Sequence, residues 1–334
     1  MRQVVGLVAG LAMLASAGPR EEITGLVQSL KPGNPITYKN LTVFPLTGKS
    51  TGSGAYVLLD KAIAEGDVEV QEKDGGEVNT VRVRNTSKKY VFGMAGQIIT
   101  GAKQNRMLGK DIILPPASGW LDVSVYCVEH GRWTGVSMDF GSKGQIAAGR
   151  VRAKAANTQS QSGVWDEVRA NNAELGIVTE SDRFDAVFDD TKVQGDLSGY
   201  QQELEKKLPK LAPNAVGVAV AVGDRIVCCD AFSTPALFQK LWPRLLESYV
   251  IDAMARTPEG KTDKADVSRF LAGAAEGSIV AQQSIGAGKL FRVEGDVATG
   301  SAIVSASEVV HMDLFPSEET GGTPFRLDIR RQND

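Results

Sequence analysis

The stretch Ala215-Val216-Gly217-Val218-Ala219-Val220-Ala221-Val222-Gly223-Asp224-Arg225-Ile226-Val227-Cys228-Cys229 decides how the rest of the chain is read. Two runs rich in apolar and β-branched residues flank a two-residue Gly-Asp turn. A short turn of this kind matches the twist of the strands it joins, so the stretch predicts a β-hairpin.

Helical spacing surrounds the hairpin. On the N-terminal side, Val164, Trp165, Val168 and Leu175 fall on one face, and Tyr200, Leu204, Leu208 and Leu211 form an apolar stripe. Ser198 followed by Gln201 fits a capping box for that second helix. On the C-terminal side, Thr234-Pro235 opens a long helix. Its Leu237, Phe238, Leu241, Trp242, Leu245, Tyr249 and Val250 point largely inward. Pro243 inside it predicts a kink or break, because proline lacks the backbone donor and crowds the preceding turn. Asp263 caps a shorter helix, and strand character returns over 278–283, 290–295, 302–305 and 309–315.

The first 135 residues read as mainly β. Residues 36–47 form a strand in which Pro45 suggests an edge or a bulge. Val68 and Val70, then Val81 and Val83, alternate with polar residues as half-buried strands do. Further strands cover 90–100, 111–114 and 121–128. Residues 136–162 are rich in Gly, Ser, Ala, Gln and Lys without periodicity and predict a loop or linker. The fold class is α+β: an antiparallel β-rich lobe (36–135, sandwich or barrel-like) packed with a helical and β-hairpin portion (163–316). These two parts can form one domain. A leader (18–35) precedes them and a polar tail (317–334) follows.

The chain of 334 residues is 42% hydrophobic and 23% charged, an ordinary globular balance. Its net charge of −3 offers no basic excess for nucleic acid. Met1-Arg2-Gln3, the apolar run 4–14 and Ala15-Ser16-Ala17 have the layout of a cleavable signal peptide. Residues 1–17 therefore predict export, to a periplasm or the exterior, with no stable membrane anchor after cleavage. The three cysteines, Cys127, Cys228 and Cys229, leave two readings open. One bridge from Cys127 leaves a free thiol, or all three are buried and reduced.

Chemistry concentrates in Gly101-Ala102-Lys103-Gln104-Asn105-Arg106 and Cys127-Val128-Glu129-His130-Gly131-Arg132-Trp133. Lys103, Gln104, Asn105, Arg106, Glu129, Arg132 and Trp133 are the candidate ligand-binding residues. Guanidinium forks hold carboxylates and phosphates, and amides supply donors and acceptors. Glu129 (acid/base) and Cys127 (nucleophile) are the candidates for a hydrolase or transferase. On a regular strand Cys127 and Glu129 share a face and His130 leaves it. The same residue types also suit a purely structural clasp, with Glu129 bridging Arg106 and Arg132.

Other signals are weak. Gly48-Lys49-Ser50-Thr51 lacks the earlier glycine of a phosphate-binding loop, no Gly-x-Ser-x-Gly elbow occurs, and neither a metal site nor a cofactor loop is indicated. His311 and Asp313, two apart on a strand, read as a surface pair.

The two segments together resemble the signature of the ARG-and-rhodanese-phosphatase-superfamily-associated protein domain. The resemblance extends to Trp165, the 216–222 run and Asp230-Ala231-Phe232, and covers roughly 37–255, leaving the segment after about 256 unmatched. The family has no established activity, so the resemblance implies a site and no reaction. The expected function is a binding or interaction module with a polar pocket for an anionic ligand or an acidic partner segment.

Overall fold

The computed structural model describes residues 18–317 apart from 53, 54, 136 and 257. The expected signal peptide and residues 318–334 of the expected tail lie outside the described residues. In chain order, helix α1 (Pro19–Ser29) leads into strands β1 (Lys31–Pro32), β2 (Ile36–Tyr38) and β3 (Leu41–Thr47). The β-rich part follows: β4 (Val57–Leu58), α2 (Leu59–Ala64), β5 (Val68–Glu77), β6 (Thr80–Asn85), β7 (Val91–Gly93), β8 (Ile98–Gly101), β9 (Arg106–Leu108), β10 (Ile112–Leu114), β11 (Leu121–Cys127) and β12 (Phe140–Gly141). Helices α3 (Gly149–Thr158), α4 (Gln161–Leu175), α5 (Thr191–Tyr200) and α6 (Lys207–Leu211) come next. The chain closes with β13 (Gly217–Val222), β14 (Arg225–Phe232), α7 (Pro235–Ala255), α8 (Lys264–Ala275), β15 (Ser278–Gln282), β16 (Lys289–Glu294), β17 (Ala298–Ser305) and β18 (Glu308–Pro316).

The expected hairpin is the centre of the larger sheet. Its order is β1-β3-β13-β14-β18-β17-β16-β15, with β2 also on β3. Period-two alternation along β13 sends Val218, Val220 and Val222 into one core with α7 and Ala219 and Ala221 into another with α1 and α8; Val216, just before the strand, joins the second. Helices therefore cover both faces, which is why β13 is apolar throughout. Residues 36–47, expected in the β-rich lobe, belong to this sheet as β2 and β3. Pro45 pairs with Val218 on one side and sits between the stretches covered by β2 and β1 on the other, where the ladder asks for no donor.

The β-rich lobe is barrel-like. Its six-stranded sheet runs β12-β8-β9-β11-β6-β5, and a bridge between Gln71 and Asp139 brings the two end strands together. A three-stranded sheet, β10-β7-β4, packs alongside, and the enclosed core holds Val70, Val81, Val83, Ile99, Leu108 and Val125. The class is α+β.

Several expectations change. Residues 136–162 contain α3, whose first amides are capped from far away: Asp252 Oδ2 accepts from Gly149 N at 2.7 Å. Ser198 lies inside α5; the cap is Asp190, accepting from the Lys192 and Val193 amides. Leu211 is exposed, unlike Tyr200, Leu204 and Leu208. A π-helical turn, Gln201–Glu205, joins α5 to α6. Pro209 has no N–H to give the Glu205 carbonyl, and the Trp242 indole donates to it instead at 3.0 Å. Helix α7 runs through Pro243 without a break, capped as expected by Thr234, and Asp263 forms a capping box with Asp266. Among the described residues, no helix is long and apolar enough to cross a membrane.

Candidate functional site

The turn from β8 to β9 places the first segment, and the end of β11 places the second. Strand pairing sets Cys127 opposite Arg106, so the two segments meet by register alone. The turn bends through Gly101 at φ 123°, where a side chain would press on the Asp139 carbonyl, and through Ala102 at φ 42°. Asn105 Oδ1 accepts from Gly101 N at 3.0 Å and fixes that bend.

Glu129 and Arg132 form a fork. Arg132 Nε reaches Glu129 Oε1 at 2.9 Å and Nη2 reaches Oε2 at 2.7 Å. The same carboxylate accepts from Asn105 N at 3.0 Å and from the Ser181 hydroxyl at 2.8 Å. Burial raises a carboxyl pKa, but these donors outweigh it and hold Glu129 below the usual range. Arg132 also donates to the Ala102 carbonyl at 2.8 Å, tying the second segment to the first turn.

Arg106 does not join that fork. Its guanidinium is fully buried and faces Glu72 of β5 at 3.6 Å, longer than a hydrogen bond. Nη1 donates to the backbone and side-chain oxygens of Gln104 at 3.1 and 3.2 Å. Burial lowers the Arg106 pKa, with Cys127 and Glu72 opposing. Gln104 donates to the Glu129 carbonyl at 2.7 Å, and Asn105 donates to Asp185 at 2.8 Å. The Cys127 thiol donates to Gln104 Oε1 and to the Glu129 carbonyl, both at 3.0 Å, and burial pushes its pKa up.

The other residues face outward. Trp133 is 44% exposed, His130 is exposed, and Arg132 and Lys103 are partly so. The Lys103 ammonium stands 5.1 Å from the Trp133 ring centre and donates to the Gly75 carbonyl. His130 meets the Trp165 ring edge-on at 4.5 Å. The structure thus divides the two segments into an interlocked interior and a cationic, aromatic rim. Cys228 and Cys229 sit on opposite faces of β14, and all three cysteines are free and buried.

A second polar cluster lies where the β-rich lobe meets the large sheet, and sequence reasoning missed it. His311 and Asp313 are buried, which overturns the expected surface pair. His311 Nδ1 lies 2.7 Å from Asp111 and Nε2 3.3 Å from Asp230. Arg152 of α3 forks onto Asp230, and the Tyr249 hydroxyl donates to the same carboxylate at 2.5 Å. Burial lowers a histidine pKa, but Asp111 and Asp230 outweigh it and push His311 up to about 10. Asp230 is held below the usual carboxylate range against its burial, by Arg152 and His311.

The family model of the ARG and Rhodanese-Phosphatase-superfamily-associated Protein domain matches residues 29–315. The chain belongs to this family. The match reaches β18, so the C-terminal strands that the sequence resemblance left unmatched are part of the family domain. They also hold His311 and Asp313. No curated protein and no solved structure matches the chain.

Proposed function

We propose that this family member is a binding module for an anionic ligand or the acidic segment of a partner, taken at the rim of the two-segment motif. The observation that carries the reading is the exposed Trp133 indole with the Lys103 ammonium 5.1 Å from its ring. An indole packs an apolar group while the ammonium beside it meets a carboxylate.

The division of labour in the motif supports binding over catalysis. Both Glu129 oxygens are engaged by Arg132, Asn105 N and Ser181, which leaves the carboxylate poorly placed to shuttle a proton. A nucleophilic thiol needs a lowered pKa, and burial drives that of Cys127 the other way. The reading includes export through residues 1–17, on the layout of that segment; an exported chain that begins at Gly18 in intact mass spectra supports it, and a chain that keeps Met1 and stays in the cytoplasmic fraction overturns it.

The test of binding is a titration with a short glutamate-rich peptide followed by isothermal calorimetry. Saturable binding that falls about tenfold or more in Trp133→Ala and Lys103→Gln is expected. Equal binding by parent and both variants, or no binding by the parent, overturns the reading.

A further inference from the structure

A small cleft opens between the β-rich lobe and the C-terminal strands, and none of its lining residues belongs to the two segments of the motif. Lys110, Tyr126, Gln159, Gln282 and Arg292 line it, and each comes from a different element or turn. It encloses about 70 Å³. A single water needs roughly 10–15 Å³, so the space holds a compact polyatomic group and no large ligand.

The wall has unspent donors. Among the described residues, the Lys110 ammonium has no carboxylate within ion-pair range, although it is half-buried. Arg292 uses Nε on Glu294 at 2.5 Å and Nη1 on the Ala156 carbonyl at 2.7 Å, and among the described residues its Nη2 makes no hydrogen bond. The Tyr126 hydroxyl and the side-chain amides of Gln159 and Gln282 make no side-chain hydrogen bond among the described residues either. Lys110 and Arg292 are close enough to repel, and together with burial this repulsion lowers the lysine pKa. Two like charges held against each other over a hollow are stabilised by an anion between them. The one acid in the lining, Asp313, is already answered: Ser301 donates to it through N and Oγ at 2.8 and 2.9 Å, and Arg152 stands 3.7 Å away.

We propose that this cleft is a binding site for a tetrahedral oxyanion, inorganic phosphate or the terminal phosphoryl group of a small phosphate ester. A planar carboxylate is best met by one open guanidinium fork, and the Arg292 fork is already spent on Glu294 and Ala156. Donors arriving from several walls suit oxygens that point several ways. The site shares no lining residue with the motif rim.

Calorimetric titration of the full chain with inorganic phosphate tests this, with malonate as the planar comparison. Phosphate binds the parent, and binding weakens about tenfold or more in Lys110→Met and in Arg292→Met, since each loses a charge-assisted contact. Trp133→Ala binds phosphate as the parent does. Lys110→Met carries the decision if Arg292→Met fails to fold, because among the described residues the Lys110 side chain makes no hydrogen bond or ion pair. A terminal phosphate ester that binds more tightly than phosphate itself identifies the ester as the occupant. Absence of saturable phosphate binding, undiminished binding in Lys110→Met, or tighter binding of malonate than of phosphate overturns the assignment.

Discussion

Arg106 and Glu72 face each other at 3.6 Å with neither side chain reaching solvent. The guanidinium leaves Nε and Nη2 without a hydrogen bond, and Glu72 Oε2 lacks one too. Such a pair tethers β9 to β5 across the barrel interior while contributing little net stability, because desolvation of both charges opposes their attraction. Glu72 also accepts from Lys103 N at 3.1 Å, so the pair reaches the start of the motif turn.

Breaking this pair from one side leaves a buried charge alone. Arg106→Met should lower the unfolding free energy by about 3–5 kcal/mol. The double variant Arg106→Met with Glu72→Leu should recover much of that loss, since no charge is then stranded. Equilibrium urea unfolding of the three proteins measures it. A double variant as unstable as the sum of its single variants would contradict the pairing.

The His311 cluster predicts loss of stability at alkaline pH. The folded-state pKa of His311 is raised from about 6.5 to about 10, so its charged form is favoured in the native protein. The resulting stability is fully present below about pH 6.5 and disappears as pH rises through about 10. Urea midpoints should fall between neutral pH and pH 10, and His311→Gln should flatten that fall while lowering stability at neutral pH. A parent profile that rises or stays level across this window speaks against a charged His311.

The cysteines should be silent until the fold opens. Cys127, Cys228 and Cys229 are all free and buried, and burial raises the pKa of each thiol. A thiol reagent should label none in native buffer and all three in denaturant. Rapid native labelling of Cys127 would restore it as a candidate nucleophile.

Local patterns made part of this legible in the sequence. The β13–β14 hairpin, the Thr234 cap and the Asp263 cap depend on neighbours a few residues away, and each could be read directly. Strand alternation could not place Glu129 and His130, because β11 ends at Cys127 and both lie beyond it. Helix α3 could not be read, because its N-terminal amides are capped by Asp252 about a hundred positions later. The His311 cluster was hidden for the same reason. Its partners, Asp111 and Asp230, lie 200 and 81 residues away, so nothing local marks the histidine as buried. The two-segment motif stood out because its halves are joined by one short excursion. Which half faces inward depended on β5 and on Ser181, and neither is near it in sequence.

The central claim is that the interior of the motif holds the fold while its rim binds. Equilibrium unfolding of Glu129→Gln beside Trp133→Ala tests it most directly. Glu129→Gln removes the charge that organises Arg132, Asn105 N and Ser181, and should cost about 2–3 kcal/mol, with Arg132 partly screened by solvent. Trp133→Ala, which removes only cation–π contacts to Lys103 and Arg106, should cost less, about 1 kcal/mol. A Glu129→Gln protein as stable as the parent would contradict the account and return Glu129 to the list of groups held ready for a ligand or a reaction.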